Sequence, residues 1–188
     1  AITNSGVITK NATGNITSTG AFSTTGDVNL AANITTTDTN LTIGGNLVIA
    51  EAATPTLSTG AGTAGNVTVT GTTNGTAGGV AETLTVQAGT GTVTFTGNVG
   101  NNTDALELEA LTLTNAAATT FSGTLDLANA LTQTNAATGA TTFTGAVSVG
   151  SASLKGTSYA INNSFASGGT TAITNSGVIT KNATGNIT

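Results

Sequence analysis

The sequence predicts an all-β fold, a parallel β-solenoid, and three observations carry that expectation. Short segments alternate apolar and polar residues, as half-buried strands do. A motif of the form apolar-x-Gly-x-apolar-x-apolar returns at intervals of 19 to 26 residues. The seventeen residues from Ala1 to Thr17 also return letter for letter as Ala172 to Thr188, an offset of 171 residues. Seventeen identities in register require duplication of a larger unit, so 1–171 reads as one tandem repeat and 172–188 as the start of the next.

Strand segments follow in order along the chain. NVTVTG at 66–71, ETLTVQ at 82–87, TVTFTGNV at 92–99, LELEALTLT at 106–114 and TTFTGAVSV at 141–149 all alternate, and Gly, Asn, Asp or Ser clusters bound each one. Helix is disfavoured throughout by the 26 glycines, by the β-branched Thr, Val and Ile, and by the lack of a 3.6-residue apolar period.

Aligning the strands on glycine shows the coil. Phe121-Ser-Gly123-Thr-Leu125-Asp-Leu127 matches Phe143-Thr-Gly145-Ala-Val147-Ser-Val149, and Ile43-Gly-Gly45-Asn-Leu47-Val-Ile49 has the same pattern. Phe95-Thr-Gly97-Asn-Val99 is a shorter match, and Gly26 and Gly71 stand at looser equivalents. From Gly26 the spacings are 19, 26, 26, 26 and 22, and the remaining 52 residues to the next copy leave room for two more turns. Seven coils of about 24 residues then fill the 171, advancing about 34 Å at roughly 4.8 Å per coil. An antiparallel sandwich also uses short alternating strands, but it gives no reason for one motif to return at coil spacing. In a solenoid Phe95, Phe121 and Phe143 stack as one buried ladder and Val99, Leu125 and Val147 as another. Gly97, Gly123 and Gly145 are expected inside the coil, and the two copies of the seventeen-residue segment are expected to superpose by translation along the axis.

Composition excludes several classes of function. His, Cys, Met, Trp and Arg are absent, and only 6% of residues are charged, with a net charge of −5. Three dispersed lysines, Lys10, Lys155 and Lys181, cannot form the clustered basic surface that nucleic acid needs. No stretch approaches the ~20 apolar residues of a membrane span. Lack of cysteine is compatible with any compartment. The chain opens without Met or a signal peptide, which fits an internal segment and a mature product alike.

Candidate sites are few. Glu107 and Glu109 flank Leu108, so a strand there would project both carboxylates from one face about 7 Å apart, as a glycosidase pair requires. Without Arg or His to complete a cleft they read as solvated strand residues, and no catalytic residue is assigned. Asp27, Asp38, Asp104 and Asp126 could stand near calcium, but no EF-hand loop or GGxGxD repeat accompanies them, so they read as turn residues and no metal or cofactor is expected. The Asn-x-Thr triplets at Asn11, Asn33 and Asn66 are formal glycosylation acceptors that Asn- and Thr-rich composition also produces. The Thr-x-Thr runs, Thr92-Val-Thr94-Phe-Thr96 and Thr68-Val-Thr70-Gly-Thr72, suit an outward sheet face. Such hydroxyl ranks also suit an ice-binding solenoid, a reading weakened along the chain by intervening Gly, Ala and Glu.

The segments TLTVQAGTGTVTFTGNVG (83–100), LTLTNAAATTFSGTLDL (111–127) and ATTFTGAVSVG (140–150) resemble the β-strand repeats of giant bacterial surface proteins, similar to filamentous haemagglutinin-type adhesins and autotransporter passengers. The resemblance is good over 83–150 and loose elsewhere, and KGTSYAINNSFASGG (155–169) departs most. It implies a right-handed β-solenoid, export to the bacterial cell surface and a role in adhesion, cell contact or biofilm matrix, with no catalytic residues. The expected function is therefore a non-enzymatic extracellular fibre or stalk whose main partner is itself, through end-to-end continuation, with neighbouring fibres or surface glycans as further partners. The alternative is a glycan- or surface-binding module using repeat avidity, for which Tyr159 and five Phe are the only aromatics available.

Overall fold

A computed structural model describes residues 2–62, 65–76, 81–101, 108–134, 139–182 and 186–188. The described residues contain strands and turns and no helix, and each strand pairing is parallel. The strands stack in sequence order on three faces, the arrangement of a parallel β-solenoid. The first face is a nine-stranded sheet of Ile2–Asn4, Phe22–Thr24, Leu41–Ile43, Val67–Val69, Thr92–Phe95, Ala118–Phe121, Ala140–Phe143, Tyr159–Ile161 and Ile179–Lys181. The second holds Ile8–Lys10, Val28–Leu30, Leu47–Ile49 and Thr73–Asn74, and isolated bridges through Val99 carry it on to Leu125. The third begins with Ile16–Ser18, Ile34–Thr36, Thr56–Ser58, Thr83–Gln87 and Ala110–Asn115. The long strands Leu125–Gln133 and Val147–Gly156 round a corner and serve the second and third faces together. The coil also continues through 155–169, where the sequence resemblance is weakest.

Pairing fixes the columns of the core. One second-face column runs Val28, Leu47, Thr73, Val99, Leu125, Val147 and Phe165. A first-face column runs Ile43, Val69, Phe95, Phe121, Phe143 and Ile161. Phe95, Phe121 and Phe143, and with them Val99, Leu125 and Val147, are all no more than 2% exposed, as alternation predicts. Adjacent phenyl rings stack at 5.4 and 5.3 Å, tilted by only 4° and 5°, while Phe165 from the second face meets Phe143 edge-on at 5.6 Å. Burying each such ring contributes roughly 1.5–3 kcal/mol, so the ladder is a main source of stability in these coils.

Coil length varies at particular corners. From first face to second the inward residues are always six apart in the first eight rungs, as in Phe22 to Val28, Val93 to Val99 and Tyr159 to Phe165. From second face to third the spacing ranges from six residues, Val28 to Ile34, up to fourteen, Val99 to Leu113. Glycine occupies this corner in the second to seventh rungs. Gly26, Gly45, Gly71, Gly97, Gly123 and Gly145 stack there, and a Cβ on any of them would strike the backbone of the glycine one rung below.

These glycines are half-exposed corner residues, which corrects the expectation that they lie inside the coil. The crowding comes from the close approach of two backbones at the turn. Side-chain amides hold the same corners together. Asn46 Oδ1 accepts the Thr72 N–H at 2.9 Å and Asn98 Oδ1 the Thr124 N–H at 3.0 Å. At the other two corners Asn40 and Asn66 accept from Asn66 and Thr92, and Asn15 and Asn33 accept from Asn33 and Thr56. Each bond ties one rung to the next where the ladder of the strands is interrupted.

The duplicated ends do not occupy equivalent places. Ile2 lies on the first face, Ile8 on the second and Ile16 on the third. Their copies fall one face back: Ile173 pairs with Leu154 on the third face, Ile179 with Tyr159 on the first, and Ile187 with Phe165 on the second. From Ile2 in the first rung to Ile173 in the eighth the chain completes seven coils and two further faces, so 171 residues span seven and two-thirds coils. The extra part-turn arises because the late coils are short, Thr141 to Tyr159 taking 18 residues and Tyr159 to Ile179 taking 20. Asn163 also replaces glycine at the corner of the eighth rung, so the glycine motif passes over it. Pure translation does not relate the copies, and the advance per repeat is about 37 Å.

Two substitutions test the corner. Gly123→Val places a Cβ about 2.7 Å from the Gly97 carbonyl and should lower stability by on the order of 1–3 kcal/mol in thermal or urea unfolding. Gly62→Val, where a Cβ meets nothing within 4 Å, should cost far less. Asn46→Ala removes acceptors for both the N–H and the Oγ1 of Thr72 and should cost about 1–2 kcal/mol by the same measurement.

Candidate functional site

The most regular surface of the molecule is the outward side of the first face. Its central column reads Thr3, Ser23, Thr42, Thr68, Thr94, Thr120, Thr142, Ala160 and Thr180, each residue paired with the next. Two residues further along each strand a second column reads Thr25, Gly44, Thr70, Thr96, Ser122, Thr144 and Asn162, each N–H donating to a carbonyl of the preceding rung. Four consecutive rungs therefore carry a complete pair of hydroxyls: Thr68 and Thr70, Thr94 and Thr96, Thr120 and Ser122, Thr142 and Thr144. Parallel pairing repeats each pair every ~4.8 Å, and the pleat separates its two members by about 7 Å. Neither column carries a charged residue, so no like-charge ladder opposes the stack. The Thr runs that look interrupted along the chain share one face across the rungs, with Gly44 and Ala160 as gaps. Thr72 rounds the corner, where its N–H and Oγ1 both donate to Asn46.

Among the described residues the acidic side chains do not converge. Glu107 and Asp104 lie outside the described residues. Glu109 is half-buried and accepts from Asn129 Nδ2 at 3.0 Å. Asp27 serves the corner ladder, its Oδ1 accepting the Asn46 N–H at 2.7 Å. Asp38 occupies an exposed turn with φ 59°, a left-handed conformation that Asp tolerates. Asp126 lines a cavity of about 140 Å³ on the second face with Asn74, Asn98, Asn101, Thr72 and Thr124. One carboxylate among amides and hydroxyls makes this a polar notch rather than an acid–base pair. Among the described residues no three His, Cys, Asp or Glu come together as a ligand set.

Sequence reasoning did not single out Glu82, which is 3% exposed and accepts from the N–H and Oγ1 of Thr76 at 3.3 and 2.9 Å. It stands at the head of an alternating segment, where nothing in the sequence marks it as buried. Nor did it find the buried polar cluster between the first and third faces. There Tyr159 Oη donates to Gln133 Oε1 at 3.0 Å, and Gln133 Nε2 donates to Thr141 Oγ1 at 3.3 Å. Gly156 leaves the space that the tyrosine hydroxyl fills. Burial pushes the Tyr159 phenol up to about 12.

Two further sequence readings meet the geometry here. The amide oxygens of Asn33 and Asn66 are engaged in the corner ladders, whereas Asn11 sits in an exposed turn. All six aromatics, Phe22, Phe95, Phe121, Phe143, Tyr159 and Phe165, are at most 1% exposed, so none offers a ring for a sugar to stack on.

Comparison of the chain with protein-family models, with curated proteins and with solved structures finds no match.

The tyrosine cluster yields a pH test. The unfolded chain releases the Tyr159 proton near pH 10 and the folded chain only near 12, so this contribution to stability is complete below pH 10 and is lost as pH rises from 10 to 12. Urea unfolding across that interval should show a decline in stability that is smaller in Tyr159→Phe. The same variant should be less stable at pH 7 by about 1 kcal/mol, through loss of the hydroxyl donor to Gln133.

Proposed function

We propose that this chain is a stretch of a non-enzymatic fibre shaft, extended by tandem repeats that continue one solenoid, and that the shaft stands outside a bacterial cell in adhesion, cell contact or matrix. One observation carries the reading. Where the second copy of the duplicated segment meets the first unit it sets an isoleucine on a buried residue of every face: Ile173 on Leu154, Ile179 on Tyr159 and Ile187 on Phe165. The junction thus continues the parallel pairing of the unit, with Lys181 beside Ile161 in register.

Low charge and absence of cysteine fit a structural role, as does the lack of an acidic cluster among the described residues, and the main partner is then the chain's own next repeat. The test is electron microscopy of chains carrying different numbers of repeats. Length should grow by about 37 Å per added repeat at constant width. Particles that thicken or become globular as repeats are added would refute the shaft.

A second reading, that the first face orders water as an ice-binding surface, is favoured by the paired hydroxyl columns across four consecutive rungs. Fluorescently tagged protein should then concentrate in a growing ice crystal and produce thermal hysteresis, and Thr94→Lys with Thr120→Lys should abolish both. Exclusion of the unsubstituted protein from the ice would dismiss this reading.

A further inference from the structure

We infer that successive 171-residue repeats are turned by one face relative to each other, so that the fibre has a three-repeat structural period and presents every once-per-repeat surface on each of its three sides in turn. The inference rests on the shaft reading for the existence of an array. Its content comes from the pairing of the duplicated segment.

Identical sequence brings its own internal pairings with it. Ile2 pairs with Phe22, Ile8 with Val28 and Ile16 with Ile34. Their copies Ile173, Ile179 and Ile187 stand on the third, first and second faces, so the residues that follow in a second repeat must build upward from those faces. The Thr68, Thr94, Thr120 and Thr142 column, on the first face in one repeat, then lies on the third face in the next and on the second in the one after. Three times seven and two-thirds coils is twenty-three whole coils, after which the column returns to its starting face at an axial distance of about 110 Å.

The rotation follows from chain length. Seven or eight whole coils would have kept each segment on one face; with the observed part-turn Ile173, Ile179 and Ile187 continue inward columns, and Lys181 falls beside Ile161 as Lys10 falls beside Leu30 in the first copy. A surface carried once per repeat is therefore distributed around the shaft. A shaft of this kind can engage neighbours on all sides, whereas a whole-coil repeat would confine every copy of a surface to one stripe. The hydroxyl columns are likewise limited to patches one repeat long.

The experiment uses the full-length chain with Thr94→Cys in every repeat, tagged with a small gold cluster and viewed by electron tomography. Successive labels should lie about 37 Å apart along the axis on different sides, every third label returning to the first side after about 110 Å. Labels in a single line at any spacing would overturn the rotation while leaving the shaft intact. Particles whose length does not grow with repeat number would overturn the shaft and, with it, this inference. Diffraction from unlabelled, aligned fibres gives the same decision without substitution: layer lines on a period of about 110 Å support the rotation, and layer lines only on the single-repeat period refute it.

Discussion

In-register stacking of parallel strands is the constraint on which the rest of this structure depends. Each paired strand residue lies about 4.8 Å from its counterparts in the neighbouring coils, so each column must be chemically compatible with itself. Phe95, Phe121 and Phe143 satisfy this by packing nearly parallel rings. The corner glycines satisfy it by removing the side chain where backbones meet, and the corner asparagines by accepting an N–H from the next rung. Threonine satisfies it on the outer face with an uncharged, β-branched side chain that tolerates both water and its own copy. The same rule accounts for the scarcity of charge, since a carboxylate repeated at this spacing would repel itself.

Two departures from like-on-like stacking have local compensation. Gln133 stands between Leu113 and Leu154 in a buried column, and the hydroxyls of Tyr159 and Thr141 supply its partners. The lysine of the duplicated segment is handled differently: Lys10 stands next to Leu30 in register and turns its Nζ to the carbonyls of Asn11 and Thr13 at 2.6 and 2.7 Å. Both solutions bring the polar group to oxygen partners at a coil corner or between faces, where backbone or side-chain partners are within reach.

Much of the fold was legible because solenoid columns are written directly into the sequence. Alternation identified Phe95, Val99, Phe121, Leu125, Phe143 and Val147 as inward residues, and the glycine motif marked one corner of the coil. The coil count was less legible, because length varies at the other corners and Asn163 interrupts the glycine series. Reading along the chain also concealed what lies across it. Successive members of the series Thr68, Thr94, Thr120 and Thr142 are 22 to 26 residues apart in sequence and become neighbours only once the register is known. The acidic residues carried no pattern that could reveal Glu82 as buried, since its burial depends on Thr76 folding back toward it.

The register itself is the claim on which the core, the hydroxyl face and the repeat rotation all rest. It is tested most directly by spin labels at Thr68→Cys and Thr94→Cys, in a chain with no cysteine of its own. Stacking places these positions side by side on adjacent rungs, about 4.8 Å apart, although 26 residues separate them. The account predicts strong spin exchange for this pair and none for labels at Thr94 and Thr112, which are closer in sequence but on different faces. Strong exchange for Thr94 with Thr112 and none for Thr68 with Thr94 would contradict it.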